Sequence, residues 1–253
     1  MSIQVQDFPD GVREITIANA TRGNALTMTM LVELASAFRS ASSSAKCVVL
    51  KGCPKSKSFC TGIELASAEE VFSAPERGDG GDSSDPVSAM EACAVPIVGV
   101  AHGACVNAGF EILLACDVLI CSSDAKFVDT HAKIGIIPSW GLSVKLSRVI
   151  GSNAAKACSV FGEVIDAQRA LTLGLAHRVT STPKQAKEAA CELARRTLVF
   201  PPGGASAVKN AIDDGLLIRD VRAEERRRAF AQYAQVARER FKAFTRTARR
   251  SKL

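Results

Sequence analysis

The chain has 253 residues, enough for one large domain or two small ones around a substantial core. Its 47% hydrophobic and 23% charged residues are typical of a soluble globular protein, and no apolar run approaches the roughly 20 residues of a membrane-spanning helix. The net charge of +6 is uneven, because the chain from Arg219 onward carries twelve Lys or Arg against four Asp or Glu. Such a basic segment binds a polyphosphate ligand, nucleic acid or an acidic membrane, or it is a solvated helix face.

Strand and helix signals alternate along the chain and predict an α/β architecture. The turn at 9–11 joins the first two strands, and Thr27 is suited to cap the first helix. Strands are predicted at 3–7, 12–18, 47–52, 96–103, 117–121 and 125–128, and helices at 28–43, 139–150, 153–160, 166–173, 183–198, 205–213 and 219–246. The stretch 73–88 is rich in Gly, Ser, Pro and Asp and predicts a surface loop, a flap beside a site.

The nine cysteines form no CxxC pair, and their odd number does not suit a disulfide framework. We therefore expect a reducing compartment. Three histidines without paired ligand spacing predict no metal site. The polar first ten residues lack the apolar segment of a secretory signal, so no secretion is expected.

Four segments carry a recognisable pattern: "TRGNALT" (21–27), "SFCTGIEL" (58–65), "HGACVNAGFEILLACD" (102–117) and "FVDTHAKIGIIPSWG" (127–141). In this order and spacing they resemble the enoyl-CoA hydratase/isomerase, or crotonase, superfamily, over nearly the whole chain. The resemblance implies a crotonase-like spiral core of repeated ββα units at 1–200. It also implies a C-terminal helical region at 201–253 that serves trimerisation, coenzyme A contact and targeting.

The chemistry that this resemblance implies needs an oxyanion hole, because negative charge builds on the thioester oxygen as an enolate forms. By resemblance, the backbone N–H groups of Ile63 and Ala108 occupy the two oxyanion-hole positions. Gly62 and Gly109, which flank these donors, are by resemblance substrate- or coenzyme A-binding residues. Asn107 stands where the family commonly has a small residue, and we interpret it as an N-cap of the following helix.

Glu111 lies between apolar residues and aligns with one of the two catalytic glutamates of hydratases of this family. A carboxylate in an apolar site has a raised pKa, which suits acid–base work. The position of the second glutamate holds His131, which can give or accept a proton near neutrality. Two alternatives stay open: Asp129 substitutes for the missing acid, or His131 only bonds to Asp129 or to a backbone carbonyl.

Resemblance also implies contacts to coenzyme A, which is part of the substrate, so that no separate cofactor is expected. Arg22, Asn24 and Ala25 occupy the segment that holds the adenine and pantetheine. Phe244 and Arg246 lie in the helix that reaches a neighbouring subunit's coenzyme A, and this family forms trimers or dimers of trimers. Trp140 is either a wall of the acyl pocket or a core residue.

The tripeptide Ser251, Lys252 and Leu253 is an address read by the peroxisomal import receptor, which predicts a peroxisomal or glycosomal protein. The predicted function is an enoyl-CoA hydratase of fatty-acid oxidation that adds water across the 2,3 double bond through a stabilised enolate. Alternatives are an isomerase or another acyl-CoA lyase or hydrolase that uses Glu111 alone, and a non-catalytic acyl-CoA or RNA-binding member. We expect neither a membrane nor a nucleic-acid partner.

Overall fold

The computed structural model describes residues 2–64, 66–67, 71, 83–216 and 218–233. Its strands are β1 (Ser2–Asp7), β2 (Val12–Ala18), β3 (Cys47–Gly52), β4 (Ser58–Cys60), β5 (Ile97–Ala101), β6 (Ala104–Val106), β7 (Val118–Ser122), β8 (Lys126–Val128), β9 (Ile165–Asp166) and β10 (Arg178–Thr180). Its helices are α1 (Met28–Ser44), α2 (Pro86–Glu91), α3 (Ala108–Leu114), α4 (His131–Ile134), α5 (Leu142–Ile150), α6 (Ser152–Ser159), α7 (Ala167–Thr172), α8 (Pro183–Arg196), α9 (Gly204–Gly215) and α10 (Ile218–Tyr233). In the described part of the chain, no helix is long and apolar enough to cross a membrane.

The strands form two sheets that the chain visits in turn. The larger sheet has the order β1-β2-β3-β5-β7-β10 and is parallel except for the β1–β2 hairpin. The smaller sheet has the order β4-β6-β8-β9. Each of β3, β5 and β7 is followed by a strand of the smaller sheet and then by a helix. The predicted α/β core of repeated ββα units is therefore confirmed.

Both faces of the larger sheet are buried, as parallel sheets require. Alternate residues point to opposite faces, so that Val48 and Leu50 join the main hydrophobic cluster with α1, while Cys47 and Val49 pack on the other face. The second face is covered by α8 through small side chains, namely Ala186, Ala189, Ala190 and Ala194. Alanines let the helix lie close to the sheet along its length.

Two glycines allow the chain to pass from one sheet to the other. A Cβ atom on Gly52 would lie 2.5 Å from the Phe59 carbonyl oxygen, and one on Gly103 would lie 1.8 Å from that of Lys57. Gly103 also has φ +53, a conformation that favours glycine. Larger residues at these positions would push the sheets apart, and the site described below lies at their junction.

The long elements match the sequence prediction within a few residues, and the differences have local causes. The strand predicted at 96–103 ends at Ala101, because Gly103 turns the chain. The helix predicted at 139–150 begins only at Leu142, after Gly141 with φ +100. The loop predicted at 73–88 is wrong for residues 86–88, which belong to helix α2. This helix starts there because its N-cap Asp85 accepts a hydrogen bond from the Ser88 N–H. Residues 73–82 lie outside the described part.

The predicted cap at Thr27 is confirmed and can be tested by unfolding. Its hydroxyl oxygen accepts a hydrogen bond from the Met30 N–H at 3.2 Å. We expect Thr27→Ala to lower the free energy of unfolding by about 1 kcal/mol in urea denaturation, because an N–H at the helix start loses its partner. The control Thr172→Ala should change it little, since that exposed hydroxyl only donates to the Gln168 carbonyl within α7. Equal effects of the two substitutions would contradict the capping role.

Candidate functional site

The loop after β4 and the start of α3 lie side by side where the two sheets meet. A Cβ atom on Gly62 would lie 3.3 Å from the Val106 carbonyl oxygen and 3.8 Å from the Ala108 nitrogen. The N–H groups of Ile63 and Ala108 therefore belong to adjacent backbone segments. In the described part of the chain, neither N–H donates a hydrogen bond. Two unpaired donors this close together can bind one oxygen that carries negative charge.

Each of these two N–H groups follows a residue with positive φ. Gly62 has φ +96 and Asn107 has φ +49, so both loops reverse direction immediately before the donor. Gly109 permits the close approach on the helix side, because a Cβ atom there would lie 2.5 Å from the Cys60 carbonyl oxygen. The backbone conformation and the small residues thus determine where the donors lie.

Asn107 lies at the N-cap position of α3, as predicted, but its side chain does not cap the helix. Its backbone is left-handed rather than extended, and the side chain makes no bond to the helix. Instead, its Oδ1 accepts a hydrogen bond from the Thr130 N–H at 2.8 Å, and its Nδ2 donates to the Thr130 hydroxyl at 2.7 Å. Asn107 therefore ties the loop before Glu111 to the residue before His131.

The segment "TRGNALT" (21–27) holds the Ile63 loop in place from the other side. The Leu26 N–H donates to the Gly62 carbonyl at 2.8 Å, and the Glu64 N–H donates to the Leu26 carbonyl at 2.7 Å. A third bond runs from the Thr61 N–H to the Gly23 carbonyl at 3.2 Å. These bonds fix the peptide that carries the Ile63 N–H from both of its ends.

The three coenzyme A contacts predicted in this segment differ in exposure. Asn24 is fully buried, and its amide bonds to the Ser58 carbonyl at 2.9 Å and to the Asn19 N–H at 3.1 Å. Ala25 is buried as well, and its carbonyl accepts from the Asn19 amide. Only the Arg22 side chain is exposed, with its guanidinium 3.8 Å from the Glu64 carboxylate. A ligand can reach the side chain of Arg22 but not that of Asn24.

Glu111 is buried in α3, with 2% of its surface exposed. Its Oε1 accepts a hydrogen bond from the Trp140 N–H at 2.8 Å, and its Oε2 lies 3.9 Å from Nε2 of His131. Burial raises the pKa of Glu111 to about 7, and the negative charges of Glu225 and Asp129 act in the same direction. The positive charge of His131 and the Trp140 N–H oppose this rise. The carboxyl group can thus hold or release a proton near neutrality.

His131 is the first residue of α4 and is also buried. Its Nδ1 lies 2.7 Å from Oδ1 of Asp129, and the same oxygen accepts the His131 N–H at 2.9 Å. Burial lowers the pKa of His131, but the hydrogen bond to Asp129 and the negative charges of Glu111, Asp129 and Glu225 outweigh this effect, so that the pKa is raised. Asp129 therefore orients the ring so that Nε2 faces Glu111.

The sequence left two alternatives open, namely that Asp129 replaces the missing acid or that His131 only bonds to Asp129 or to a backbone carbonyl, and the geometry bears on both. Asp129 bonds to His131 instead of facing Glu111, so the imidazole is the group next to the carboxylate. His131 does bond to Asp129, but its other ring nitrogen remains directed at Glu111. Two titratable groups 3.9 Å apart exchange protons as a pair, and their titration belongs to the pair rather than to either residue.

Two contributions to this site had no sequence signal. Trp140 is buried in the main hydrophobic cluster, but its backbone N–H is what contacts Glu111. Glu225 lies in the charged run of α10, where the sequence suggests a solvated face, yet it is buried beside the site. Its Oε1 accepts hydrogen bonds from the N–H and the hydroxyl of Ser143. The predicted Phe244 and Arg246, and the tripeptide 251–253, lie outside the described residues.

Comparisons of sequence and of structure with known proteins both find enoyl-CoA hydratases. The family model described as Enoyl-CoA hydratase/isomerase matches residues 7–249. The chain is 40% identical over 243 residues to the Arabidopsis thaliana protein named "Probable enoyl-CoA hydratase 1, peroxisomal", and the match covers 95% of this chain and 90% of the relative.

Two solved structures are similar over nearly their whole length. An enoyl-CoA hydratase of Mycobacterium smegmatis superposes with a TM-score of 0.77 at 28% identity, covering 93% of this chain and 99% of the other. An enoyl-CoA hydratase/isomerase of Pseudoalteromonas atlantica T6c superposes with a TM-score of 0.83 at 23% identity, covering 96% and 94%. The second likeness concerns the fold alone.

The raised pKa of Glu111 predicts a pH-dependent gain in stability for Glu111→Gln. A folded-state pKa of about 7 against 4.5 means that the folded protein binds this proton more tightly than the unfolded chain. The stabilisation that protonated Glu111 gives is complete below pH 4.5 and is lost as the pH rises through 7. Between these pH values, the free energy of unfolding of the wild type should fall by up to roughly 3 kcal/mol relative to that of Glu111→Gln.

Urea unfolding of both proteins between pH 4.5 and 8 measures this difference. Glu188→Gln, which removes an exposed carboxylate on α8, serves as the matched control and should follow the wild type. A difference between Glu111→Gln and the wild type that stays constant across the range would contradict the proposed titration.

Proposed function

Since the chain belongs to the enoyl-CoA hydratase/isomerase family, we propose that it is an enoyl-CoA hydratase that adds water across the 2,3 double bond of an acyl-CoA thioester. The observation that carries this proposal is the buried Glu111–His131 pair beside two unpaired backbone donors. One part of the site can move protons, and the other can stabilise an oxyanion. Hydration of an enoyl thioester requires both.

The backbone donors act on the carbonyl end of the substrate. As a nucleophile attacks Cβ, electrons move toward the thioester oxygen, and the N–H groups of Ile63 and Ala108 donate hydrogen bonds to it. Loss of one such donor typically costs two to three orders of magnitude in rate, roughly 3–4 kcal/mol. Because the donors are backbone groups fixed by positive φ residues and by the segment 21–27, they need little reorganisation during the reaction.

The acid–base pair acts on the double bond. Glu111 takes a proton from water while the water oxygen forms its bond to Cβ, and protonated His131 gives a proton to Cα of the enolate. One O–H bond of water and the π bond between Cα and Cβ break, and one C–O and one C–H bond form. The proton now on Glu111 then returns to His131, whose Nε2 lies 3.9 Å from Oε2. The pair holds one proton before and after each turnover.

The alternatives from the sequence have less support. Relatives of this chain are named as hydratases, among them a short-chain-enoyl-CoA hydratase of Clostridium acetobutylicum that is 29% identical over 169 residues. In an isomerase or hydrolase that uses Glu111 alone, the imidazole of His131 would have no role in the reaction, although Asp129 orients it toward Glu111. A non-catalytic member leaves the buried pair unexplained, and burying such groups is energetically costly.

We also propose that the chain acts in the peroxisome and assembles as a trimer or a dimer of trimers. The peroxisomal name of the Arabidopsis thaliana relative supports the peroxisome rather than the glycosome. Self-association is supported by large apolar side chains that are exposed in the single chain, such as Phe161 and Val199, each 84% exposed. Coenzyme A contacts through Phe244 and Arg246, and recognition of residues 251–253 by the import receptor, remain part of this proposal.

Loss of enoyl absorbance on incubation with trans-2-butenoyl-CoA and a medium-chain analogue tests the reaction. We expect Glu111→Gln and His131→Gln each to lower kcat roughly 100- to 10,000-fold, because each removes one proton-transferring group. The controls Glu188→Gln and His177→Gln change exposed residues and should retain activity. No turnover by the wild type on either substrate would sink the hydratase assignment, and full activity of His131→Gln would remove His131 from the mechanism.

Localisation is tested with the full chain carrying a fluorescent protein at its N-terminus. We expect the fusion to concentrate in peroxisomes, and removal of residues 251–253 to disperse it, because the receptor reads an exposed C-terminal tripeptide. Retention of the shortened chain in peroxisomes would show that another signal directs it there.

A further inference from the structure

Glu225 is a buried carboxylate that the proposed hydration does not use. It lies on α10, with 5% of its surface exposed. Its Oε1 accepts from the Ser143 N–H at 3.0 Å and from the Ser143 hydroxyl. Its Oε2 is buried without a hydrogen-bond partner among the described residues. Burying a carboxylate oxygen without a hydrogen bond lowers the stability of the folded protein, so the position of Glu225 needs an explanation.

The contacts of Glu225 lead toward Glu111. Ser143 lies in the first turn of α5, which follows Gly141, and the Gly141 N–H helps to stabilise the charged form of Glu225. Trp140 immediately precedes Gly141, and its N–H is the donor that holds Oε1 of Glu111 at 2.8 Å. Glu225 therefore binds the backbone at Ser143, three residues after the Trp140 N–H that orients the proposed base. A negative charge at this helix start is also favoured by the helix dipole.

Ion pairs hold α10 so that Glu225 reaches this position. Arg222 donates to the Glu91 carboxylate at 2.8 Å and to the Ser88 hydroxyl at 2.7 Å, and Arg226 pairs with Asp85. Lys145 on α5 pairs with the same Glu91 at 2.7 Å. The C-terminal helix is thus fastened to α2 and α5, the two helices beside the site.

The charge of Glu225 also acts on the pair itself. The charged groups that interact with it are Glu111 on α3, His131 on α4 and Arg222 on its own helix, and Lys145 on α5 lies with Arg222 beside Gly141. Glu225 raises the pKa of both Glu111 and His131, while Arg222 stabilises the charged form of Glu225. A negative charge near both members of a pair favours keeping a proton on it.

We propose that Glu225 is a positioning residue for the proposed hydration: it fixes the Trp140 peptide that holds Glu111, and its charge retains the shared proton on the Glu111–His131 pair. This inference rests on the proposed function. Glu225 is not placed in contact with substrate, so it acts through Trp140, Ser143 and the field at the pair. Through it, the C-terminal helix takes part in the chemistry of a site built by the α/β core.

The test compares Glu225→Gln, which removes the charge but keeps an acceptor of nearly the same shape, with Glu224→Gln. Glu224 is the adjacent residue and pairs with Arg227 and Arg228 on the exposed side of α10. In Glu225→Gln we expect the acidic and the basic limb of the pH profile of kcat/KM both to move to lower pH by about half to one unit. The reason is that Glu111 and His131 each lose a negatively charged neighbour. KM should stay unchanged, kcat should fall about tenfold, and Glu224→Gln should match the wild type.

A second readout needs no turnover. The chain has three histidines, so NMR titration resolves His131, which should titrate at lower pH in Glu225→Gln than in the wild type. If neither the titration of His131 nor the limbs of the pH profile move in Glu225→Gln, the proposed effect of the Glu225 charge on the pair is overturned. A shifted pKa of His131 in a protein that hydrates no enoyl-CoA would overturn the proposed function but not the effect of the Glu225 charge on the Glu111–His131 pair.

Ser143→Ala tests the positioning step with the charge of Glu225 in place. We expect kcat to fall two- to fivefold, as an order-of-magnitude figure, with both limbs unmoved, because the hydroxyl donor is lost while Glu225 remains ionised. Unchanged kcat in Ser143→Ala would overturn the positioning role even if Glu225→Gln failed to fold.

Discussion

A carboxylate withdrawn from water has to be neutralised or surrounded by compensating groups, and the site is organised by this requirement at Glu111. Its two oxygens face different partners, a backbone N–H on one side and an imidazole on the other. The imidazole is in turn held by Asp129, and the N–H belongs to a turn that Glu225 binds. Groups from several helices and loops thus converge because one buried acid needs them, and the same convergence makes the acid useful near neutral pH.

The sequence predicted those parts of the fold that depend on long periodic segments. Helix α1 with its cap, the strands of the larger sheet other than the three-residue β10, and helix α8 each extend over enough residues to show a hydrophobic period. The smaller sheet was missed at β4, β6 and β9, because strands of two or three residues carry no period. Their pairing depends instead on where the glycine corners bring the chain, which is a tertiary effect.

The site shows the same division. Resemblance placed Glu111, His131, Ile63 and Ala108 in one constellation, and the structure brings these residues together at the junction of the sheets. The resemblance did not show which contacts orient these four residues. The Asn107–Thr130 bonds and the burial of Asn24 depend on left-handed backbone at residues 24 and 107, which residue type alone does not specify. Glu225 could not be found from its neighbours in sequence, because "RAEERRRAF" has the composition of a solvated face although one of its acids points inward.

The bonds between Asn107 and Thr130 have a consequence for how this site can change over time. Two side chains that satisfy each other across two loops cannot be exchanged one at a time without leaving a polar group unpaired. A small residue at 107 would remove the partner of the Thr130 N–H and free the loop that precedes His131. The loop before Glu111 and the loop before His131 are therefore coupled: we expect residues 107 and 130 to change together, whatever residue stands at 131.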